Sequence, residues 1–220
     1  MGAALLLTLA VFAGAKAPAV TIVALGDSTT AGTPLFASPL EAPPDGAGDP
    51  KSQFSHWMER SHPAWRVLNR GVNGERSDEI RARFARDVEA EKPRAVIILA
   101  GVNDAYQGRP AEGTQADLAW MYARAKALGI LPVAASVLPF SRATAAQAAR
   151  IDALNAWIRL EAAREKIPFC DTAQAAADPK DPHRLRGSPD GLHPDVAGYR
   201  AVGEALAQCV SKKLSAGSGD

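Results

Sequence analysis

Ser28, Asp190 and His193 are the residue types that nucleophilic acyl transfer requires. A serine hydroxyl is a weak nucleophile until a neighbouring base accepts its proton. His193 is that base if the fold brings it to Ser28. The imidazole in turn needs a carboxylate to hold its tautomer and to stabilise the imidazolium. Asp190 precedes His193 by three residues, so its carboxylate can reach the ring within one turn of chain. Negative charge developing on the substrate oxygen calls for preorganised donors. The backbone N–H groups of Ser28 and Gly74 and the side-chain amide of Asn103 can supply three. The other histidines suit the role less well. His56 and His62 are six residues apart, which is no single-face ligand spacing, and His183 lies in a polar stretch and reads as solvated.

These residues come from separated segments, so the elements between them must bring them together. Residues 21–25 (TIVAL) form an apolar, β-branched run that stops at Gly26, as a buried strand does. Residues 66–69, 95–99, 131–137 and 167–170 read as four further strands. Between them lie helices capped by Ser52 (to about residue 61), Ser77 (to about 91), Thr114 (to 128, closed by Gly129) and Thr144 (to 166). A closing helix covers 195–214. Continuous apolar strands alternating with amphipathic helices predict an α/β fold with a parallel sheet covered on both faces. Sites in such sheets lie beyond the carboxyl ends of the strands. Ser28, Asn73-Gly74 and Asn103-Asp104 each follow a strand directly, and Asp190 to Pro194 lead into the last helix. Convergence at one sheet edge is the functional signal. Asp27 and Asp104 read as fixing loop geometry, Asn155 as structural, and Gly26 and Gly101 as serving close backbone approach or positive φ.

Four motifs carry a family resemblance: Gly26-Asp27-Ser28, Asn69-x-x-x-x-Gly74, Gly101-Val102-Asn103-Asp104 and Asp190-Gly191-Leu192-His193-Pro194. Together, in this order, they resemble the blocks of the SGNH (GDSL) hydrolases and span most of the chain. The resemblance implies a three-layer, flavodoxin-like α/β/α fold with a five-stranded parallel sheet in strand order 2-1-3-4-5. It implies Ser28 as nucleophile, His193 as general base and Asp190 as the orienting carboxylate. Gly74 and Asn103 fall in the oxyanion hole with Ser28. Gly71 is a rival for the glycine role, and the spacing from Asn69 favours Gly74. Thr30 stands where a Gly-x-Ser-x-Gly nucleophile elbow would place its second glycine, which argues against an α/β-hydrolase. Residues 33–50, rich in Pro, Gly, Ala and Asp, form a loop longer than compact members carry at this point. Leu35, Phe36 and Leu40 in it are expected to line or cover the acyl pocket.

Composition narrows the function classes. The chain has 220 residues and a formal net charge of +1, with no run of five like charges, so nothing general favours nucleic acid or an anionic surface. Of the 47% apolar residues, 45 are alanines, so the core rests on relatively few large side chains. An apolar run over residues 3–13 is too short to span a bilayer and has the length of a signal-peptide core. With Ala-x-Ala candidates ending at Ala15 and Ala17, the expectation is a leader over 1–17 and export to the periplasm or medium. One hydrolase domain over 20–214, a flexible tail over 215–220 and no stable membrane anchor complete that reading. Cys170 and Cys209 either pair or remain two buried thiols. No metal spacing is visible, and the mechanism needs no metal or other cofactor. The expected activity is hydrolysis of small-molecule, glycan or lipid esters, short-acyl or acetyl esters above all. The alternatives are a thioesterase or lysophospholipase on the same scaffold, or a non-catalytic glycan-binding module. A flavin or nucleotide binder is disfavoured, because neither G-x-G-x-x-G nor a P-loop lysine is present.

Overall fold

A computed structural model describes residues 20–216. The expected leader and residues 217–220 of the expected tail lie outside them. Five strands form the central sheet: β1 (Val20–Gly26), β4 (Trp65–Gly71), β5 (Ala95–Leu99), β6 (Leu131–Ala135) and β7 (Phe169–Cys170). All pairings in it are parallel, in the order β4-β1-β5-β6-β7. Counted along the chain, that is the expected 2-1-3-4-5. The chain order reverses between β1 and β5, and the switch opens a crevice beyond their carboxyl ends.

The two faces of the sheet follow from strand alternation. Val23 and Leu25 of β1, with Val96 and Ile98 of β5, pack on one face. There they meet Ile80 of α3 (Ser77–Ala82), Met121 and Tyr122 of α5 (Ala111–Ala127), and Ile151 and Ile158 of α6 (Ala145–Glu165). Ile22, Ala24, Ile97 and Leu99 point the other way. They meet Phe54 and Met58 of α2 (Phe54–Ser61) and Tyr199, Val202 and Leu206 of α8 (Val196–Ala216). The side chains of Ile22–Leu25 in β1 and of all of β5 are therefore covered, which explains why both strands read as continuous apolar runs. Cys170 of β7 is disulfide-bonded to Cys209 of α8, with Cα atoms 5.9 Å apart, so the question left open by the sequence resolves to a pair.

Capping differs from the pattern at three helices. Thr144 caps α6 as expected, in a capping box with Gln147. Ser77 is the first residue of α3 rather than its cap, because its hydroxyl is drawn to Asp104 and Asp117. α3 then passes into a π-helical stretch, Ala85–Glu89, rather than running on as one α-helix. Thr114 lies inside α5, since its hydroxyl is donated to Asp104 Oδ1. Ser52 ends a 3₁₀ turn, Pro50–Ser52, that Asp49 caps, and α2 starts after it. For Ser77 and Thr114 a tertiary partner outcompetes the local capping bond.

Several short elements carry no period that a sequence pattern can register. They are α1 (Ser28–Ala31), the antiparallel pair β2 (Phe36–Ala37) and β3 (Ala47–Gly48), α4 (Val102–Gln107), α7 (Thr172–Ala176), and the pair β8 (Ala177–Asp178) and β9 (Asp181–Leu185). α1 and α4 are the two that matter for function. Among the described residues no helix is long and apolar enough to cross a membrane.

Candidate active site

The chain leaves β1 at Gly26, where a Cβ would lie 2.3 Å from the Leu99 carbonyl and 2.2 Å from Thr30 Oγ1, so only glycine fits. Asp27 caps α1, accepting from the Thr29 N–H at 2.9 Å and the Thr29 hydroxyl at 2.7 Å. Its buried carboxyl is pushed up to about 6 by desolvation, against the pull of those two bonds. The one-turn helix closes at Gly32 in the left-handed region. Ser28, its first residue, is thereby held at the head of the crevice.

The Ser28 hydroxyl lies 2.9 Å from His193 Nε2, although the two residues are 165 apart in sequence. On the far side of the ring, Nδ1 lies 2.7 Å from Asp190 Oδ2. Oδ1 of Asp190 accepts the backbone N–H groups of Leu192 and His193, each at 2.8 Å. Desolvation would raise this carboxyl, but the bonds from the His193 ring and from the two N–H groups hold it down at about 2. Asp190 is then an acceptor only, which puts the ring proton on Nδ1 and leaves the Nε2 lone pair for the serine O–H. Ser188 braces the loop, donating to the His193 carbonyl at 2.6 Å and accepting the Gly191 N–H at 2.8 Å.

The remaining polar groups come from the loops after β4 and β5. Gly74 has φ +79° and open space where a Cβ would be, whereas a Cβ on Gly71 would strike the α1 backbone at 2.1 Å. Gly71 is thus a close-approach glycine and Gly74 a turn glycine. One hydrogen of the Asn103 amide is donated to the Glu75 carbonyl at 2.9 Å, and the other remains available. Ser28, Thr29, Asn73, Asn103 and His193 all face one cleft of about 190 Å³. Val102, Tyr106, Phe140 and Leu192 supply its apolar walls. Tyr106 sits three residues after Asn103 on α4, a spacing that puts both on one face; that was the signal available for it.

Leu35, Phe36 and Leu40 are not among the cleft walls, and the structure does not bring them to Ser28. Leu35 is exposed, and Phe36 is buried against the backbone of Gly46 within the β2–β3 ribbon. The loop is tied down on the β4 and α8 side, where Ser38 Oγ donates to the Gly71 carbonyl and Tyr199 donates to the Thr33 carbonyl. It reaches the site through a polar residue instead: Glu41 accepts the Asn73 N–H at 2.7 Å, bracing the turn that carries Gly74. His183, expected to be solvated in a polar stretch, lies on the β9 strand and pairs at the surface with Asp152 at 2.9 Å.

Two buried ionic clusters lock these loops to one another. Asp104 accepts from the Ser77 N–H and hydroxyl, and Arg109 Nη1 bridges Asp104 and Asp117 at 2.8 Å each. This fixes the turn bearing Asn103 to the start of α3. The second cluster is centred on Arg83, which is 8% exposed. It donates to the Gly26 carbonyl at 2.7 Å, the Arg70 carbonyl at 2.8 Å, Glu75 Oε2 at 2.6 Å and Asp87 Oδ2 at 2.7 Å. One guanidinium thus ties the exits of β1 and β4 to the residue that holds Asn103. An arginine on an amphipathic helix reads as solvated, so the sequence offered no sign of this role. No group of His, Cys, Asp and Glu among the described residues is arranged to hold a metal ion.

Comparison with known proteins places the chain in a family and matches its fold. The family model of the GDSL-like lipase/acylhydrolase family matches residues 24–201. A curated relative, the uncharacterized lipoprotein YqeF of Bacillus subtilis (strain 168), is 30% identical over 128 residues, 54% of this chain and 48% of that protein. The chain thus aligns with about half the length of that relative. A G-D-S-L family protein from Desulfitobacterium hafniense DCB-2 superimposes with a TM-score of 0.73 at 28% identity, covering 86% of this chain and 99% of the other. A GDSL-like lipase from Bacteroides thetaiotaomicron VPI-5482 gives 0.70 at 25% identity, with 88% of each chain covered. The acetylxylan esterase Axe2 of Geobacillus stearothermophilus shares the fold, with a TM-score of 0.68 at 20% identity over 88% of this chain and 95% of that one. By its family match and its fold, this chain belongs to the GDSL-like lipase/acylhydrolase family.

Proposed function

We propose that this protein hydrolyses short-acyl carboxylic esters through an acyl-enzyme formed on Ser28. The observation that carries the reading is the continuous relay from Ser28 Oγ through His193 to Asp190, with links of 2.9 and 2.7 Å, opening into a cleft. Ser28 Oγ attacks the ester carbonyl while its proton passes to His193 Nε2. Asp190, its carboxyl held low by the bonds from His193 and Leu192, is ionised at neutral pH and stabilises the imidazolium. The tetrahedral oxyanion takes hydrogen bonds from the Ser28 and Gly74 N–H groups and the free hydrogen of the Asn103 amide. His193 returns its proton to the departing alcohol, and water then repeats the sequence to free the acid and Ser28.

A cleft of about 190 Å³ is small beside the ~300–1,000 Å³ of drug-sized pockets, which favours acetyl or butyryl over long acyl groups. The Cys170–Cys209 bond supports action in an oxidising compartment, as do the apolar N-terminal run with cleavage near Ala15 or Ala17 and a lipoprotein relative. The test is hydrolysis of p-nitrophenyl acetate, butyrate and octanoate by the wild type and Ser28→Ala. The expected result is turnover that declines towards octanoate and falls on the order of 10³-fold or more in the variant. Wild-type turnover in Ser28→Ala would sink the mechanism.

A further inference from the structure

The walls of the cleft differ in chemistry, and the difference bears on the alcohol half of the ester. Tyr106 is 54% exposed, one of the few large apolar side chains so placed. Its ring makes a T-shaped contact with Phe140, with centroids 5.8 Å apart and planes at 63°, and both rings line the cleft. The backbone beneath it is pinned, because Gln147 Nε2 donates to the Tyr106 carbonyl at 3.1 Å and Gly108 closes α4 in the left-handed region. The ring is thus a positioned, half-open aromatic surface rather than a loose side chain. Asn73 lines the same cleft and is exposed. Its N–H is taken by Glu41, while its side-chain amide presents two donors and an acceptor.

We propose that the alcohol is a sugar, docked with a C–H face on the Tyr106 ring and a hydroxyl edge on the Asn73 amide. This rests on the reading of Ser28 as an ester-cleaving nucleophile. An aromatic face carries negative quadrupolar charge and attracts the weakly positive C–H bonds that a pyranose ring presents on one side. The hydroxyl rim of the same ring needs donors and acceptors, which the Asn73 amide provides. Other alcohols fit less well. A phospholipid headgroup calls for cationic side chains, and no Lys or Arg lines the cleft. A flat aromatic alcohol would cover the Asn73 amide without satisfying it, at a cost in desolvation.

The experiment compares kcat/KM for the triacetate of methyl β-xylopyranoside, propyl acetate and 1-naphthyl acetate in wild type, Tyr106→Ala and Tyr106→Phe. The expected result is a sugar-acetate to propyl-acetate ratio that drops roughly five- to tenfold in Tyr106→Ala and stays within about twofold of wild type in Tyr106→Phe. An unchanged ratio in Tyr106→Ala overturns the sugar platform while leaving ester hydrolysis standing. A larger loss on 1-naphthyl acetate than on the sugar acetate assigns the ring to aromatic alcohols and also overturns it. Absence of Ser28-dependent turnover on all three esters removes the ester reading, and this inference with it.

Discussion

Replacing Arg83 by methionine tests whether one buried guanidinium holds the site loops in place. Methionine keeps most of the aliphatic volume and removes four charge-assisted bonds, to Gly26, Arg70, Glu75 and Asp87. Counted separately at ~1.5–3 kcal/mol each, they would sum to ~6–12 kcal/mol, comparable to the whole stability of a typical domain. Breaking a buried ion pair by removing one partner costs ~3–5 kcal/mol in practice. Two features place Arg83 at the low end. Asp87 keeps a second partner, Arg86, at 2.6 Å, and the Gly26 carbonyl keeps the Val72 N–H at 3.2 Å. The expected loss is therefore about 3 kcal/mol, read as a shift in the urea unfolding midpoint at constant slope. Arg83→Lys should recover about half, because a single ammonium cannot reach all four acceptors together. A merely structural role would end there. The structure predicts more, because the Gly26 carbonyl lies two residues before Ser28 and Glu75 holds Asn103. A displacement of about 1 Å at such loops costs on the order of 10²-fold in rate. Under conditions where both variants are fully folded, kcat on p-nitrophenyl acetate should fall by at least about tenfold in Arg83→Met, with a smaller change in KM. A stability loss under 1 kcal/mol, or an unaltered kcat in the folded variant, refutes the reasoning.

Two further outcomes follow from the same structure. The Cys170–Cys209 bond spans a sequence separation of 39, so Cys170→Ser/Cys209→Ser should lose about 4 kcal/mol by the loop-entropy relation; denaturant curves coincident with the oxidised wild type would contradict it. Asp27, with its carboxyl raised to about 6, contributes stability that is fully present below about pH 4 and lost as pH rises through 6. Asp27→Asn keeps the cap acceptor without the buried charge, so its advantage over wild type should grow from near zero at pH 4 to a plateau of up to about 3 kcal/mol above pH 6–7. Parallel pH–stability curves for the two proteins would exclude the effect.

Where the sequence carried a period, the fold was legible. β1 and β5 are short apolar runs buried on both faces, and residues 21–25 and 95–99 announce that directly. The Thr144–Gln147 box marks the start of α6 because both partners lie within one turn. The site residues were legible for a different reason: short combinations such as Gly26-Asp27-Ser28 and Asp190-Gly191-Leu192-His193-Pro194 make local turns whose bonds span only a few residues. What failed was inference from residue type without a neighbour. Phe36 is apolar and follows the serine turn, yet its ring is absorbed by Gly46 inside its own loop. Glu41, unremarkable in sequence, is the residue of that loop that touches the site. Ser77 and Thr114 have capping side chains, and both are claimed by Asp104.

By itself, then, the sequence determined the alternation of strands and helices, the turns that end each strand, and the set of groups able to do acyl-transfer chemistry. These depend on interactions between residues close along the chain, which pattern and residue type encode. Tertiary structure alone decided that His193 lies 2.9 Å from Ser28 across 165 residues, that Arg83 gathers the exits of two strands, and that Tyr106 faces the cleft. Those contacts join segments remote in sequence, and the free energy that selects them comes from packing α2 and α8 on one face of the sheet and α3, α5 and α6 on the other. No local window of residues contains that term.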